Sequence, residues 1–178
     1  MTSNIQNSAT HSDTSNGSRR SIIDWTVRIL LNAYELNGSY SVLIFLGDVP
    51  DDPDIWMLSP SYVGMHCAYV SSGVDQKPVI TQGFVLLNNW IAEKSGLGSF
   101  DPSVVEPYLK DKLSWRAQMA GGAPVSLSKV PSLEVTVFAT PVTQEPGVVF
   151  PVLGETQYYH SITAGRIGGS HSAQSSEE

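Results

Sequence analysis

The chain has 178 residues, and its 10 basic and 17 acidic side chains give it a net charge of −7. Nucleic acids and anionic membrane surfaces are bound through basic faces, so this charge argues against both as partners. The only cysteine, Cys67, cannot form an internal disulfide, and it excludes a zinc site built from pairs of thiolates.

The two ends of the chain differ in composition from the middle. Residues 1–20 are mainly Ser, Thr and Asn, and residues 165–178 are mainly Gly, Ser and other polar types. Such segments bury too little apolar surface to offset the entropy lost on ordering, which predicts flexible tails around one domain at 21–164. The sequence shows no secretory h-region and no apolar run near the roughly 20 residues that span a bilayer, which predicts a cytoplasmic location.

Strand patterns dominate the region between the tails. The first begins with alternation over 23–31, and the second, 40–46, is nearly all apolar and is therefore predicted to be a central strand. Further strands are predicted, in chain order, at 63–70, 79–87, 113–119 and 133–139. The segment Tyr158-Tyr159-His160 is predicted to end the sheet.

Helix signals are few. Asp101-Pro102 combines an N-cap with a first-turn proline and predicts a helix over 103–112, shortened or kinked by Pro107. Residues 88–94 are predicted to hold one more helical turn. The pattern as a whole predicts a mainly β fold, an antiparallel β-sandwich or barrel with one or two short helices.

Four segments stand out by their order and spacing. They read DWTVRI…LNGSYSVLIFLGDVPDDPDIW, SPSYVGMHCAYV, VVEPYLKDKLSWRAQ…VPSLEVTVFATPVT and YYHSITAGRIGG. Together they resemble the C-terminal domain of fungal tyrosinases and related polyphenol oxidases, over about residues 24–169. The FLG…DP..W and PYL…L.WR blocks are the most specific part of this resemblance.

The resemblance implies a hemocyanin-like β-sandwich that, in the full-length enzymes, lies over a dinuclear copper site. There the domain places an aromatic side chain in the substrate cavity until proteolysis frees it, and that position falls on Tyr69. A type-3 copper site needs six histidines, whereas this chain has four, and two of those, His11 and His171, lie in the predicted tails. We therefore expect no copper, no other metal and no cofactor in the chain.

The sequence departs from the family pattern in two places. After Val63-Gly64, where family members have a pattern like Ser-Phe-Ser-Val-Phe, this chain has residues 65–69, MHCAY. Many fungal members then carry a Cys-x-x-Cys linked to copper loading, but here the loop at 71–77 reads SSGVDQK. The resemblance therefore does not imply a copper-delivery role for this chain.

His66 and Tyr69 are the candidate catalytic residues, because an imidazole and a phenol can both donate and accept protons. His66 and Cys67 are neighbours on a strand, so they should point to opposite faces and cannot easily form a Cys–His dyad. The simpler alternatives are a hydrogen-bonded surface histidine and a strand-end tyrosine with a solvated hydroxyl.

Five further residues are candidates for substrate binding: Arg28, Trp115, Arg116, Tyr158 and His160. An arginine can clamp a carboxylate or enolate, and the aromatic side chains could line a pocket. The alternatives are ion pairs with acids such as Asp24 or Glu134, core packing for the tryptophan, and edge-strand packing for the last two.

Two functions follow from these residues. The first, which we favour from the sequence, is a cofactor-free protein of secondary metabolism that binds a polyketide-like or phenolic ligand. It would guide an acid- or base-assisted cyclisation, isomerisation or dehydration, without being a copper oxidase itself. The alternative is a non-catalytic cap that acts in trans on a type-3 copper oxidase by placing Tyr69 in its cavity. A former domain interface left exposed would also allow a homodimer.

Overall fold

A computed structural model describes residues 19–70 and 77–171. Most of the predicted tail at 1–20 and the loop at 71–76 therefore lie outside the described residues. The longer strands are β1 (Arg20–Asn32), β2 (Tyr40–Leu46), β3 (Tyr62–Ala68), β4 (Ile80–Leu86), β5 (Leu113–Met119) and β7 (Glu134–Gln144). Three two-residue strands complete the sheets: β6 (Pro124–Val125), β8 (Val152–Leu153) and β9 (Gln157–Tyr158).

The strands form two antiparallel sheets. Sheet A has the order β4-β1-β7, with both β8 and β9 paired to β7, and sheet B has the order β3-β2-β5-β6. The predicted central strand, 40–46, is confirmed as β2, which lies between β3 and β5. The predicted fold class, an antiparallel β structure with few helices, is confirmed.

Period-two burial explains how the sheets pack. In β1, Trp25, Val27, Ile29 and Leu31 are fully buried against sheet B, while Arg28 and Leu30 face outward. In β2 the buried residues lie on both faces, because Leu43 and Phe45 pack under Trp56 on the outer side. Trp56 belongs to a 3₁₀ helix, Pro53–Leu58, that crosses the outer face of sheet B.

Two α-helices cover one end of the sandwich. The helix α1 spans Asn88–Lys94, and α2 spans Pro102–Lys112, where the Asp101 side chain accepts a hydrogen bond from the Ser103 amide as predicted for its N-cap. Pro107 does not shorten α2, which continues to Lys112 and buries Val105 and Leu109. No helix in the described ranges is both long and apolar enough to cross a membrane.

The C-terminal boundary differs from the predicted one at 164. The Val135 amide donates to the Gly168 carbonyl at 2.8 Å, Trp115 Nε1 donates to the Ile167 carbonyl at 3.0 Å, and Ser170 is buried. Residues 165–171 thus pack on the domain through their backbone. Composition predicted a flexible tail here because it describes only the side chains, whereas these contacts are made by backbone carbonyl groups.

Candidate functional site

Tyr69 lies just beyond the last residue of β3 and is 80% exposed. Its backbone is fixed on both sides, because Ala68 pairs with Tyr40 and the Val70 amide donates to Ser39 Oγ at 3.0 Å. The phenol is therefore displayed from an ordered strand end. Aromatic side chains usually bury their large apolar area, so a tyrosine ring that is exposed to water on a fixed strand end is unusual.

A cavity of about 340 Å³ opens beside Tyr69 on the outer side of sheet B. Met57, Met65, Cys67 and Gln118 are among the residues that line it. We call it the Tyr69 cavity. Its wall is mostly apolar, and three of its lining side chains carry sulfur within one short stretch of chain.

His66 lies outside this cavity. Its ring packs on Gly83 of β4, and its Nε2 is 3.0 Å from Thr81 Oγ1. Partial burial lowers the pKa of His66 below its ordinary value of 6.5, so the ring is neutral at pH 7. The structure therefore places His66 and Tyr69, the two predicted catalytic residues, in different surroundings.

Cys67 points away from His66, as the alternation of the strand predicted. Its Sγ accepts a hydrogen bond from Ser41 Oγ at 3.1 Å on the outer face of sheet B. His66 instead lies in register with the buried Val42 and faces β4. The two side chains share no hydrogen-bond partner among the described residues.

Three of the five predicted binding residues come together on the outer face of sheet A. The guanidinium of Arg28 lies 5.3 Å from the ring centre of Tyr158, and that ring stacks on His160 with 5.8 Å between centroids. Phe138 packs on Tyr158, and Phe84 packs edge-on against Phe138. We call these residues the aromatic face of sheet A.

Phe84 and Phe138 were missed by the sequence analysis. Both lie in predicted strands, but only the register between β4, β1 and β7 shows that they flank Arg28. Among the described residues Arg28 makes no ion pair, and its Nε is buried without a hydrogen-bond partner. The predicted pairing of Arg28 with Asp24 or Glu134 is therefore absent from the described part of the structure.

Trp115 and Arg116 lie elsewhere, on β5 of sheet B. Trp115 is buried in the core, and the guanidinium of Arg166 lies 4.2 Å above its ring. Arg116 donates through Nη1 to the backbone carbonyl of Trp115. Neither residue joins Arg28, Tyr158 and His160, so the five residues do not form a single pocket.

The chain's own residues do not fit a dinuclear copper site. Within residues 19–70 and 77–171, no group of three or more His, Cys, Asp or Glu side chains is arranged to hold a metal. His66 is engaged with Thr81, and His160 Nδ1 is 2.7 Å from Ser170 Oγ. We derive no chemical step through copper bound to histidines of this chain.

Comparison with known proteins identifies the family. Residues 24–137 match the Tyrosinase C-terminal domain family, which covers more than half of the chain. The chain therefore belongs to this family, and the resemblance seen in the sequence is confirmed.

Full-length relatives show how the chain relates to larger proteins. It is 28% identical over 158 residues to a tyrosinase of Neurospora crassa, and 29% identical over 142 residues to polyphenol oxidase 2 of Agaricus bisporus. These matches cover 82% and 75% of this chain but only 23% and 24% of the relatives. The chain thus spans about a quarter of each relative's length.

A solved structure of recombinant mushroom tyrosinase has the same fold. It aligns with a TM-score of 0.65 at 24% sequence identity, over 82% of this chain and 26% of that one.

Proposed function

We propose that this chain shields the active site of a tyrosinase-type copper oxidase, and that Tyr69 enters the substrate cavity of that partner. The observation that carries the proposal is the 80% exposure of Tyr69 on a fixed strand end. The family resemblance assigns the placeholder side chain to this same position.

The surroundings of Tyr69 are those of a docking anchor. Protein interfaces depend on a few aromatic residues ringed by apolar contacts that exclude water. Met57 and Met65 line the cavity beside Tyr69 and are 46% and 39% exposed. Methionine side chains adapt to a partner's shape, so this surface can close around the mouth of an oxidase cavity.

The test is an inhibition assay with a tyrosinase catalytic core expressed without its own C-terminal domain. A chain added in trans lacks the millimolar effective concentration that a short linker supplies. Inhibition should therefore depend on the concentration of the added chain, and diphenol oxidation should fall as that concentration is raised. Tyr69→Ala should raise the half-inhibitory concentration by about tenfold or more, whereas Tyr69→Phe keeps the ring and should inhibit nearly as well.

Tyr158→Ala is the matched control, because it removes a half-exposed tyrosine from the other sheet. It should inhibit as the unmodified chain does. Equal inhibition by the Tyr69→Ala and Tyr158→Ala chains would exclude Tyr69 as the inserted side chain. Undiminished oxidation at saturating chain would reject the shielding role for that oxidase.

A second candidate is the cofactor-free cyclase or isomerase. The volume of the Tyr69 cavity favours it, since about 340 Å³ lies within the range of small-molecule sites. The position of His66, bonded to Thr81 outside that cavity, gives it less support than the shielding role. If it is correct, deletion of the gene leads to accumulation of one intermediate, and Tyr69→Phe fails to consume that compound in vitro.

The homodimer stays a prediction, which analytical ultracentrifugation of the purified chain tests.

A further inference from the structure

The aromatic face of sheet A holds a cation without a counter-ion. Among the residues that the structure describes, Arg28 forms no salt bridge, and its Nε is buried without a hydrogen-bond partner. A partly desolvated charge is costly unless an opposite charge or a hydrogen-bond acceptor compensates it. Because Arg28 as a whole is only half-buried, its terminal Nη groups remain open to an acceptor from outside the chain.

Two acidic side chains share this face of the sheet with Arg28, and both are bonded elsewhere. Arg28 pairs with Thr136 of β7, and Glu134 lies two residues along that strand, so alternation places it on the same face. Glu134 Oε1 accepts a hydrogen bond from Thr136 Oγ1 at 3.3 Å. Asp24, four residues before Arg28 on β1, accepts from Asn88 Nδ2 at 3.2 Å. Both carboxylates are thus bonded within the domain, and neither neutralises the guanidinium.

The side chains around Arg28 form a packed layer over the sheet. Thr136 faces outward beside Arg28, yet it is fully buried. The Arg28 side chain extends from β1 across β7 until its guanidinium lies 5.3 Å from the ring centre of Tyr158, and Thr136 lies beneath this layer. Phe84 and Phe138 meet edge-on with 6.2 Å between centroids. This packing fixes the guanidinium before a ligand arrives, which reduces the entropy lost on binding.

The row of rings is more open at its ends than at its centre. Phe84 and Tyr158 are 54% and 43% exposed, whereas Phe138, which contacts both of them, is only half-buried. Exposed aromatic side chains on a sheet face present apolar area to a binding partner. The guanidinium lies at the edge of this row, so the face offers one planar cation beside a set of rings.

We propose that the aromatic face of sheet A binds a small aromatic carboxylate. The carboxylate accepts two hydrogen bonds from Arg28, whose planar guanidinium matches the spacing of the two oxygens, and the ligand's ring packs on Phe138 and Tyr158. The net charge of −7 repels anions at long range, so the ring contacts must supply part of the affinity. The site does not depend on the shielding role of Tyr69, which lies on the other sheet.

The experiment is an NMR titration of the isotopically labelled chain with three probes. The first is 2-naphthoate, an aromatic carboxylate, which should shift the Nε resonance of Arg28 and the backbone amides of Phe138 and Tyr158. The second is 2-naphthamide, which has the same rings without the charge and should bind at least about tenfold more weakly. The third is acetate, which has the charge without the rings and should also bind at least about tenfold more weakly.

Variants of Arg28 test the clamp itself. Arg28→Gln should weaken the binding of 2-naphthoate at least about tenfold, to the level of 2-naphthamide. Arg28→Lys keeps the charge but lacks the planar fork, so it should recover only part of the affinity. Arg116→Gln is the matched control, because it removes a half-buried arginine from sheet B and should leave the Kd for 2-naphthoate unchanged.

Three results would overturn the proposal. One is equal binding of 2-naphthoate and 2-naphthamide by the unmodified chain, and another is undiminished binding of 2-naphthoate by Arg28→Gln. The third is equal binding of acetate and 2-naphthoate, which would show an adventitious ion only. Thermal unfolding separates a lost site from a lost fold, and the three probes decide the question on the unmodified chain if Arg28→Gln does not fold. Folded Arg28 variants should still inhibit the oxidase core, so this site and the shielding role fail separately.

Discussion

A single residue, His66, makes the stability of the folded domain depend on pH. Burial lowers the pKa of His66 in the folded chain, while an unfolded chain titrates near 6.5. Between these two values the unfolded state binds more protons, so the free energy of unfolding falls as the pH decreases through that window. The contribution of neutral His66 is fully present above about pH 6.5.

We therefore expect the denaturation midpoint of the chain to decrease from pH 7.5 to pH 5, and His66→Gln to make this decrease shallower. Glutamine keeps a polar group near Thr81 but does not titrate. Urea unfolding at several pH values measures the effect. His160→Gln is the control, because it removes a histidine from the 3₁₀ helix His160–Ile162 and leaves His66 in place. Parallel pH profiles for His66→Gln and the unmodified chain would contradict this account.

Some properties of individual residues could be predicted from the sequence alone. The alternation of β3 was enough to place His66 and Cys67 on opposite faces, because side chains alternate in any strand. The same pattern could not show that His66 rests on Gly83, since the two residues lie in different sheets. Contacts between sheets depend on packing, and no local pattern encodes them.

At the scale of elements, two glycines allow the edge strands β3 and β4 to approach each other. A Cβ on Gly83 would lie 2.5 Å from the His66 ring, and one on Gly64 would lie 2.8 Å from a Val85 methyl. Separations below about 3 Å are too short for carbon atoms, so neither position has room for a side chain. The sequence analysis placed both glycines in predicted strands, but it did not identify the close approach of β3 and β4 that requires them.

Gly83→Ala should destabilise the domain by about 1–3 kcal/mol, because the added methyl overlaps the His66 ring. The measurement is urea unfolding. Gly121→Ala is the control, since a Cβ there meets no atom within 4 Å. Removing the ring by His66→Ala should relieve the part of the cost of Gly83→Ala that the ring causes, whereas the His66 Cβ, 2.7 Å from the added methyl, stays in place. Strictly additive effects in the double variant would contradict a clash with the ring.

The elements that could be predicted are those whose signal is local. β2 follows from its apolar run and the start of α2 from the Asp101-Pro102 cap, and the structure has both at those places. β7 is longer than predicted and continues through Pro141 to Gln144. Its extension is set by pairing with the start of β1, where Ile23 lies opposite Pro141, and a partner strand is not visible in one segment.

At the scale of the whole molecule, the two features with most functional interest lie on different sheets. Tyr69 and the Tyr69 cavity occupy the outer side of sheet B, and the aromatic face with Arg28 occupies sheet A. Under the proposed function, a partner oxidase would meet the first surface. The sequence supplied Tyr69 through the family resemblance, but only the fold assembles Met57 and Met65 beside it.

The C-terminal segment closes the sandwich, and this gives a test of the domain boundary. A chain truncated after Ala164 loses the Ile167 and Gly168 carbonyls, which leaves Trp115 Nε1 and the Val135 amide without acceptors. Each buried donor left unsatisfied costs about 1–3 kcal/mol, so this truncation should lower the free energy of unfolding by at least about 2 kcal/mol.

It should also shift tryptophan emission to the red, because Trp115 is only 2% exposed beneath the segment that is removed. A chain truncated after His171 keeps both carbonyls and should unfold at the same urea concentration as the full chain. If the two truncated chains unfold together, residues 165–171 contribute nothing to stability, and the boundary that composition predicted at 164 is the correct one.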